Sequence, residues 1–564
     1  MTEITKYTNS RFSYLIYFLS CLICVFWLNK MYNLNELPVD TGDGLMHYYI
    51  SQASWTNPSL FLDHWGKPLF ILLSSPFAQL GFSGMFVFNL LIFIGICLVS
   101  LKIFMKFEVN LILAALFPIT LLLAEDFSKT IMAGLTEPLF NLFVLLAFWM
   151  LIEKKWLYFA LIISLTPYLR SEGQLLFLLA IVFLVLYKQF KYLPFLLIFP
   201  IIYGIWGIFV YNDFWWYITK SAYSYSNNIY GHGKWNDYFV NYQEYLGDVG
   251  LYFFILASLV AIYLLIRKNW IKLKFSYLFF SFGIFLGIVL FHSYLWANGK
   301  YGSLGLTRIA TQGMPLFVLM SIYYSDLIFK KFPFRMTSSI LLILTIICFY
   351  SRFNSDKFPI YAEPFNKDVI SAGNYLNKYK NKIGCIHYHH PLIPYQMNYN
   401  PFINTDKIDF YYGSNIEKDF DAKIKKGDVI VWDSKFGAVE AGMPFDKILH
   451  LKQLSKVNVF ENFNEKNKTV GAYIFKYDGG VNNFVKNKTI FKLKPISHKL
   501  DEKIEFRDVY EHKKTPKKLT LELELDVIGE AEVFLVCTDD KAKHYQAKKT
   551  ELGKNTLYFT FFSL

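Results

Sequence analysis

Eleven apolar stretches follow one another along the first 350 residues, at 12–29, 83–104, 109–124, 131–151, 156–168, 173–187, 192–211, 249–266, 275–295, 310–329 and 337–350. Crossing the hydrocarbon of a bilayer takes about 20 mainly apolar residues. Inside it only helices and closed barrels satisfy every backbone polar group. The spacing therefore predicts a polytopic α-helical membrane protein of about eleven spanning helices. Charge marks where that part ends. Residues 1–350 hold 23 Lys/Arg and 16 Asp/Glu, 39 of 350 or 11%, whereas residues 351–564 hold 34 and 28, 62 of 214 or 29%. The second figure is that of an ordinary solvated domain, for which about 25% is usual. A net charge of +13 splits as +7 and +6 with no basic block, which argues against a nucleic-acid partner, since those gather Lys/Arg on one face. Of six cysteines, four lie in apolar stretches, and Cys385 and Cys537 do not make a disulfide framework.

Lys/Arg in short loops set orientation. With a cytoplasmic N-terminus, the inner segments carry Lys6, Arg11, Lys102, Lys106, Lys154, Lys155, Lys188, Lys191, Arg267, Lys268, Lys272, Lys274, Lys330, Lys331 and Arg335. The longer outer loops carry far fewer, and residues 351–564 then lie outside. Acids crowd the same outer side: Asp40, Asp43, Asp63, Glu125, Asp126, Glu172, Asp213, Asp237 and Glu244 among them. Ionisable groups at membrane depth are costly and mark function by default, so one outward-facing site built from several loops is expected.

The first outer loop is the richest. Asp43 stands near the start of a helix, where it serves equally as an N-cap or as a site carboxylate, and His47 lies one turn below it on the same face. Two such groups do not define a metal site; no cofactor is required, and a divalent metal lacks support. Further on, His64-Trp-Gly-Lys67-Pro enters the next apolar stretch; Lys67 either snorkels to headgroups or contacts substrate, and Trp55 and Trp65 suit a membrane interface. Glu125 and Asp126 stand side by side and either bind a cation or the acceptor or are simply solvated, the solvated reading being slightly favoured. Glu137 lies in an apolar stretch, where solubility does not explain it, and supports the site through a polar contact. Arg170 pairs with Glu172 or Glu137, or binds phosphate. Arg308 is either a headgroup anchor or, preferably, a ligand for a lipid phosphate, which a guanidinium grips in bidentate fashion. The loop 212–248 contains a Tyr/Ser/Asn-rich run with Tyr230 and His232, suited to a carbohydrate-binding wall.

These residues come in a particular order: the Asp43-Gly44 loop, His64-Trp-Gly-Lys-Pro-Leu-Phe70, Leu135-Thr-Glu137-Pro-Leu-Phe140, Tyr168-Leu-Arg170-Ser-Glu172-Gly173, then Gly305-Leu-Thr-Arg308 before Pro315. Over roughly residues 10–350 the chain resembles the GT-C glycosyltransferases. More narrowly, it is similar to bacterial relatives of the dolichyl-phosphate-mannose protein mannosyltransferases and of the lipid A aminoarabinose transferase. The resemblance implies a many-span fold with two helices in the first outer loop. It also implies a sugar donor on a polyprenyl phosphate, transfer with inversion, and a glycan, lipid or protein acceptor, in a bacterial inner membrane. Asp43 matches the loop-one acid that acts as base or orients the acceptor; Gly44 departs from the strict Asp-Glu pair of the eukaryotic protein-mannosylating enzymes. The alternative is a transporter or flippase of lipid-linked sugars, which more often shows inverted repeats; no repeat is seen here.

Beyond Tyr350 the pattern becomes α/β. A helix at about 366–380 precedes apolar runs at 383–388, 428–433, 456–460 and 470–476, giving a periplasmic α/β domain over 351–480. Residues 481–564 read as strands, with alternation at 518–528, 530–536 and 555–562, and suggest a β-sandwich-like module. His387-Tyr-His389-His390 is expected to be a strand end with solvated histidines rather than a metal site.

Overall fold

A computed structural model describes residues 11–221, 231–269, 274–330, 350, 359–360, 367–411, 424–434, 436–443, 448, 454–463, 469–477, 518–527, 531–538, 543–550 and 553–562. The chain forms two compact units, Met1–Pro364 and Phe365–Leu564.

The first unit is helical: α1 (Arg11–Asn33), α2 (Asp43–Ala53), α3 (Pro68–Ala78), α4 (Phe82–Lys106), α5 (Leu111–Ala114), α6 (Leu116–Leu123), α7 (Glu125–Met132), α8 (Glu137–Ile152), α9 (Trp156–Leu165), α10 (Gly173–Leu186) and α11 (Ile198–Tyr211). The short α12 (Trp216–Thr219), α13 (Asp237–Val240) and α14 (Tyr242–Tyr245) lead to α15 (Gly247–Ile266), α16 (Phe275–Ala297) and α17 (Met314–Phe329). Among the described residues, Arg11–Asn33, Phe82–Lys106, Phe190–Tyr211, Gly247–Ile266 and Phe275–Ala297 are long and apolar enough to cross a membrane. A sixth forms if Leu111–Leu123 and Glu125–Met132, bent by 72°, count as one.

The remaining expected spans correspond to shorter apolar helices, and local chemistry explains their length. Gly134 at φ +66° lies in the turn after α7, so the stretch expected to run from 131 is broken after Met132 and resumes as helix at Glu137. Pro167 converts the end of the 156–168 stretch to a 3-10 turn. The expected span 337–350 lies outside the described residues except for Tyr350.

Helix α1 shows what such a helix faces. Its exposed side is Phe12, Leu15, Phe18, Leu19, Leu22, Ile23 and Phe26, while Ser13, Tyr17, Ser20 and Cys24 point inward. Tyr17 and Ser20 donate to the carbonyls of Cys97 (2.7 Å) and Ala115 (2.6 Å). Polar groups inside and apolar groups outside invert the pattern of a water-facing helix. The arrangement is compatible with lipid contact.

Polar groups collect at the two ends of the bundle. Past the C-termini of α4, α8 and α17, Lys106 meets Glu153 (3.1 Å), Lys330 meets Asp326 (2.7 Å) and donates to the Glu108 carbonyl (2.7 Å). The N-termini of α8 and α17 lie at the other end, about 24 Å along α8 at 1.5 Å per residue.

In the second unit, α18 (Lys367–Tyr379) and α19 (Leu392–Gln396) accompany a five-stranded sheet of β1 (Ile386–Tyr388), β2 (Ile408–Phe410), β3 (Val429–Asp433), β4 (Leu454–Phe463) and β5 (Thr469–Tyr477), ordered β2-β1-β3-β5-β4. β1 is parallel to β2 and β3; β5 is antiparallel to β3 and β4. Beyond them, β6 (Lys518–Val527) pairs antiparallel with β9 (Gly553–Phe562), and β7 (Ala531–Thr538) with β8 (Lys543–Thr550).

The histidine cluster departs from expectation. His387, His389 and His390 are buried, not solvated. His387 lies on a central strand, with Nε2 3.1 Å from Asp428 and Nδ1 3.6 Å from Asp409. Burial pushes its pKa down, but the hydrogen bonds to Asp409 and Asp428 and their charges prevail and raise it.

A buried charge cluster at one end of the bundle

Asp43 is the first residue of α2, and Gly42 holds the cap position. The capping expected of Asp43 is carried out by Asp40, whose Oδ1 accepts the backbone N–H groups of Gly42 (3.0 Å) and Gly44 (3.1 Å). Asp43 makes a different contact: its Oδ2 accepts from Nη2 of Arg308, while Nη1 of the same guanidinium donates to Oδ2 of Asp40. Gly44 is what permits this approach, because a Cβ there would lie 2.5 Å from the Ala133 carbonyl oxygen.

Arg308 sits on a 3-10 turn, Thr307–Thr311. Asn141 of α8 bolts that turn in place: its Nδ2 donates to the Thr311 carbonyl (3.0 Å) and its Oδ1 accepts from Gly313 N (2.7 Å). The cluster then continues inward. Glu137, first residue of α8 and 2% exposed, lies 2.9 Å from Nη1 of Arg170 and 4.0 Å from Nε of Arg308. Arg170 also donates to Thr136 Oγ1 (2.8 Å) and through Nε and Nη2 to both oxygens of Glu172 (3.3 Å each). Glu172 further meets His292 Nε2 (3.1 Å) and accepts from Gln312 Nε2 (2.9 Å). Four carboxylates and two guanidiniums thus form one chain, beside the N-termini of α8, α10 and α17. Those termini carry positive partial charge that favours anions.

Charge and burial fix the protonation states. Burial raises the Asp40 pKa, but the Arg308 charge and the two glycine amides outweigh it and hold the carboxyl below its ordinary range. Burial likewise works against ionised Glu172, and Arg170, His292 and Gln312 keep it well below. Burial disfavours the Arg308 cation, yet Asp43, Asp40 and Glu137 raise its pKa further still.

Lys67 and His47 flank the cluster. Lys67 is buried at φ +67°, with Nζ donating to the His64 carbonyl (3.2 Å), so it does not snorkel to headgroups. A non-glycine residue in that conformation is a strained one, of the kind found at functional sites. His47 stacks on Trp65 (4.7 Å, 22°) and its buried Nδ1 has no hydrogen-bond partner. Burial, then the charges of Lys67, Arg170 and Arg308, lower its pKa to about 3, so it is a neutral imidazole. His64 packs against Tyr217 (4.8 Å), and burial with the Lys67 charge lowers its pKa to about 4.

Other expectations fare differently. Glu125 and Asp126 are buried, not solvated: Glu125 pairs with Lys129 (2.6 Å), and Asp126 hydrogen-bonds Thr307, which also donates to Glu244 (2.8 Å). That second acidic group adjoins Arg308 along the chain. Trp55 is exposed, whereas Trp65 is the stacking partner of His47 and half-buried. His232 is exposed; Tyr230 lies outside the described residues.

Sequence reasoning did not single out Asp40, Thr136, Asn141, His292 or Gln312. Two signals were available: Asp40 precedes Asp43 by three residues, and the apolar run 275–295 holds no Asp, Glu, Lys or Arg and a single His, His292. Among the described residues no group of three His, Cys, Asp or Glu side chains is placed to hold a metal ion. No family model, curated protein or solved structure matches this chain.

Proposed function

We propose that the chain is an integral membrane glycosyltransferase of GT-C type. It moves a sugar from a polyprenyl-phosphate donor to an acceptor hydroxyl on a glycan, a lipid or a protein at the outer face of the membrane. In this reading the shorter apolar helices complete about eleven spans, the N-terminus is cytoplasmic, and Phe365–Leu564 lies outside, in the periplasm of a bacterial inner membrane. The observation that carries the proposal is the meeting of Asp43 and Arg308, 265 positions apart, on one cluster where several helices begin.

Asp43 takes the acceptor's hydroxyl proton. The acceptor oxygen forms the new bond to the anomeric carbon as the carbon–oxygen bond to phosphate breaks. The phosphate leaves with the electron pair, and attack opposite the leaving group inverts the centre. A carboxylate suits the base, and preorganised cations suit the charge that develops on the leaving phosphate. Arg308 meets that need directly, with Arg170 and Lys67 behind it. Asp40 and Glu137 hold Arg308; His47, His64 and Glu172 shape the surroundings, and Glu125 and Asp126 lie on the Thr307 side, where acceptor hydroxyls would be received.

The test offers purified protein in proteoliposomes a panel of radiolabelled polyprenyl-phosphate sugars and nucleotide sugars, with lipid and glycan acceptors. Label passing from a polyprenyl-phosphate sugar to acceptor with an inverted anomer supports the proposal. Movement of intact donor across the bilayer without transfer would replace it with a flippase.

A further inference from the structure

Arg308 already holds two carboxylates, so the cation assigned to the donor phosphate is occupied before any donor arrives. The two carboxylates are not equivalent. Asp40 is tied to the amides of Gly42 and Gly44, and its side chain is 21% exposed. Asp43 stands in the first turn of α2 with its side chain 44% exposed. A partly exposed ion pair is weak and exchanges partners cheaply, and the two backbone donors on Asp40 add to what holds that carboxylate in place. A phosphate offers a guanidinium the same forked, anionic contact as a carboxylate. A carboxylate engaged with an arginine is also a poorer base than a released one, because the cation favours its charged form.

We infer that Asp40 is a positioning residue that keeps Arg308 in the site, and that the Asp43–Arg308 contact is a latch opened by the donor's phosphate. The phosphate takes the edge of the guanidinium that Asp43 holds, and the carboxylate so released accepts the proton of the acceptor hydroxyl. The donor therefore binds before the base becomes active. This inference rests on the transferase reading above and adds an order of events to it.

Binding of farnesyl monophosphate to the purified full-length protein tests it, with farnesol as the phosphate-free control. Removing the competing carboxylate in Asp43→Asn tightens farnesyl monophosphate binding about fivefold, the equivalent of a partly exposed ion pair, and leaves farnesol unchanged. Asp40→Asn weakens binding, because Asp43 then holds the whole guanidinium, and adding Asp43→Asn to it gives a larger gain than in the native background. A merely structural role for either residue would not produce a gain. Asp43→Ser repeats the test should the Asn variant fail to fold. Equal or weaker binding of farnesyl monophosphate by both Asp43 variants overturns the latch. Failure of the native protein and every variant to bind it overturns the polyprenyl-phosphate donor itself.

Discussion

Arg170 illustrates how much of the site is decided by single residues. Its guanidinium stands between Glu137 and Glu172, both almost fully buried. A buried pair is seldom a net gain over apolar packing, but removing one partner strands the other. Arg170→Met leaves two buried carboxylates without their main cation and costs about 3–5 kcal/mol, read as a large fall in the melting temperature of the detergent-purified protein. Glu137 was legible in the sequence as a charge in an apolar run, because such a residue needs a partner. Which cation served it was not: Arg170 and Arg308 both lie within reach, and only folding brings them there. Asp43 was legible by its place at a helix start, but that it would not serve as the cap was not, since Asp40, three residues earlier, takes the amides instead.

At the scale of elements, α2 is set by one close approach. The absent Cβ of Gly44 lets α2 rest on the backbone at Ala133, and that seat places Asp40 and Asp43 on Arg308. Gly44→Ala forces the helix outward; overpacking of this kind costs about 1–3 kcal/mol. Transfer activity is expected to fall by more than the loss of folded protein explains, measured as specific activity per folded molecule.

The parallel strand β1 carries a second element-scale prediction. His387 has a raised pKa in the fold, against about 6.5 in an unfolded chain. It therefore stabilises the sheet fully below that ordinary value, and the contribution is lost as pH rises through the folded one. Amide exchange at β1 and β3, corrected for its intrinsic pH dependence, should accelerate as pH rises through the raised pKa of His387 in the native protein and not in His387→Gln. Periodicity made this strand visible, and it also made the histidines look like a solvated end. Burial comes from the place of β1 between β2 and β3, with Asp409 on β2 and Asp428 just before β3 as partners, and strand order cannot be read from one strand's pattern.

For the whole molecule, apolar run length and the drop in charge before residue 351 revealed a helical membrane-like part and a separate sheet-bearing part. Span number was less legible, because composition does not show where glycine or proline will stop a helix, as Gly134 and Pro167 do. The proposed sidedness makes its own prediction. In a background with the native cysteines replaced by serine, Lys378→Cys in α18 should react with a membrane-impermeant maleimide in cells whose outer membrane has been permeabilised, and Lys155→Cys should react only after the inner membrane is opened. The reverse labelling would put the cluster on the cytoplasmic side.

The central claim is that Asp43 is the base of a sugar transfer. Its most direct measurement compares the native protein with Asp43→Asn and Asp43→Glu, at saturating polyprenyl-phosphate sugar, by the rate of label transfer to acceptor. A general base contributes about 10²–10⁴-fold. The account predicts a loss of that size for Asn although donor binding tightens, and partial recovery with Glu. Transfer by Asp43→Asn within a few-fold of the native rate would contradict it.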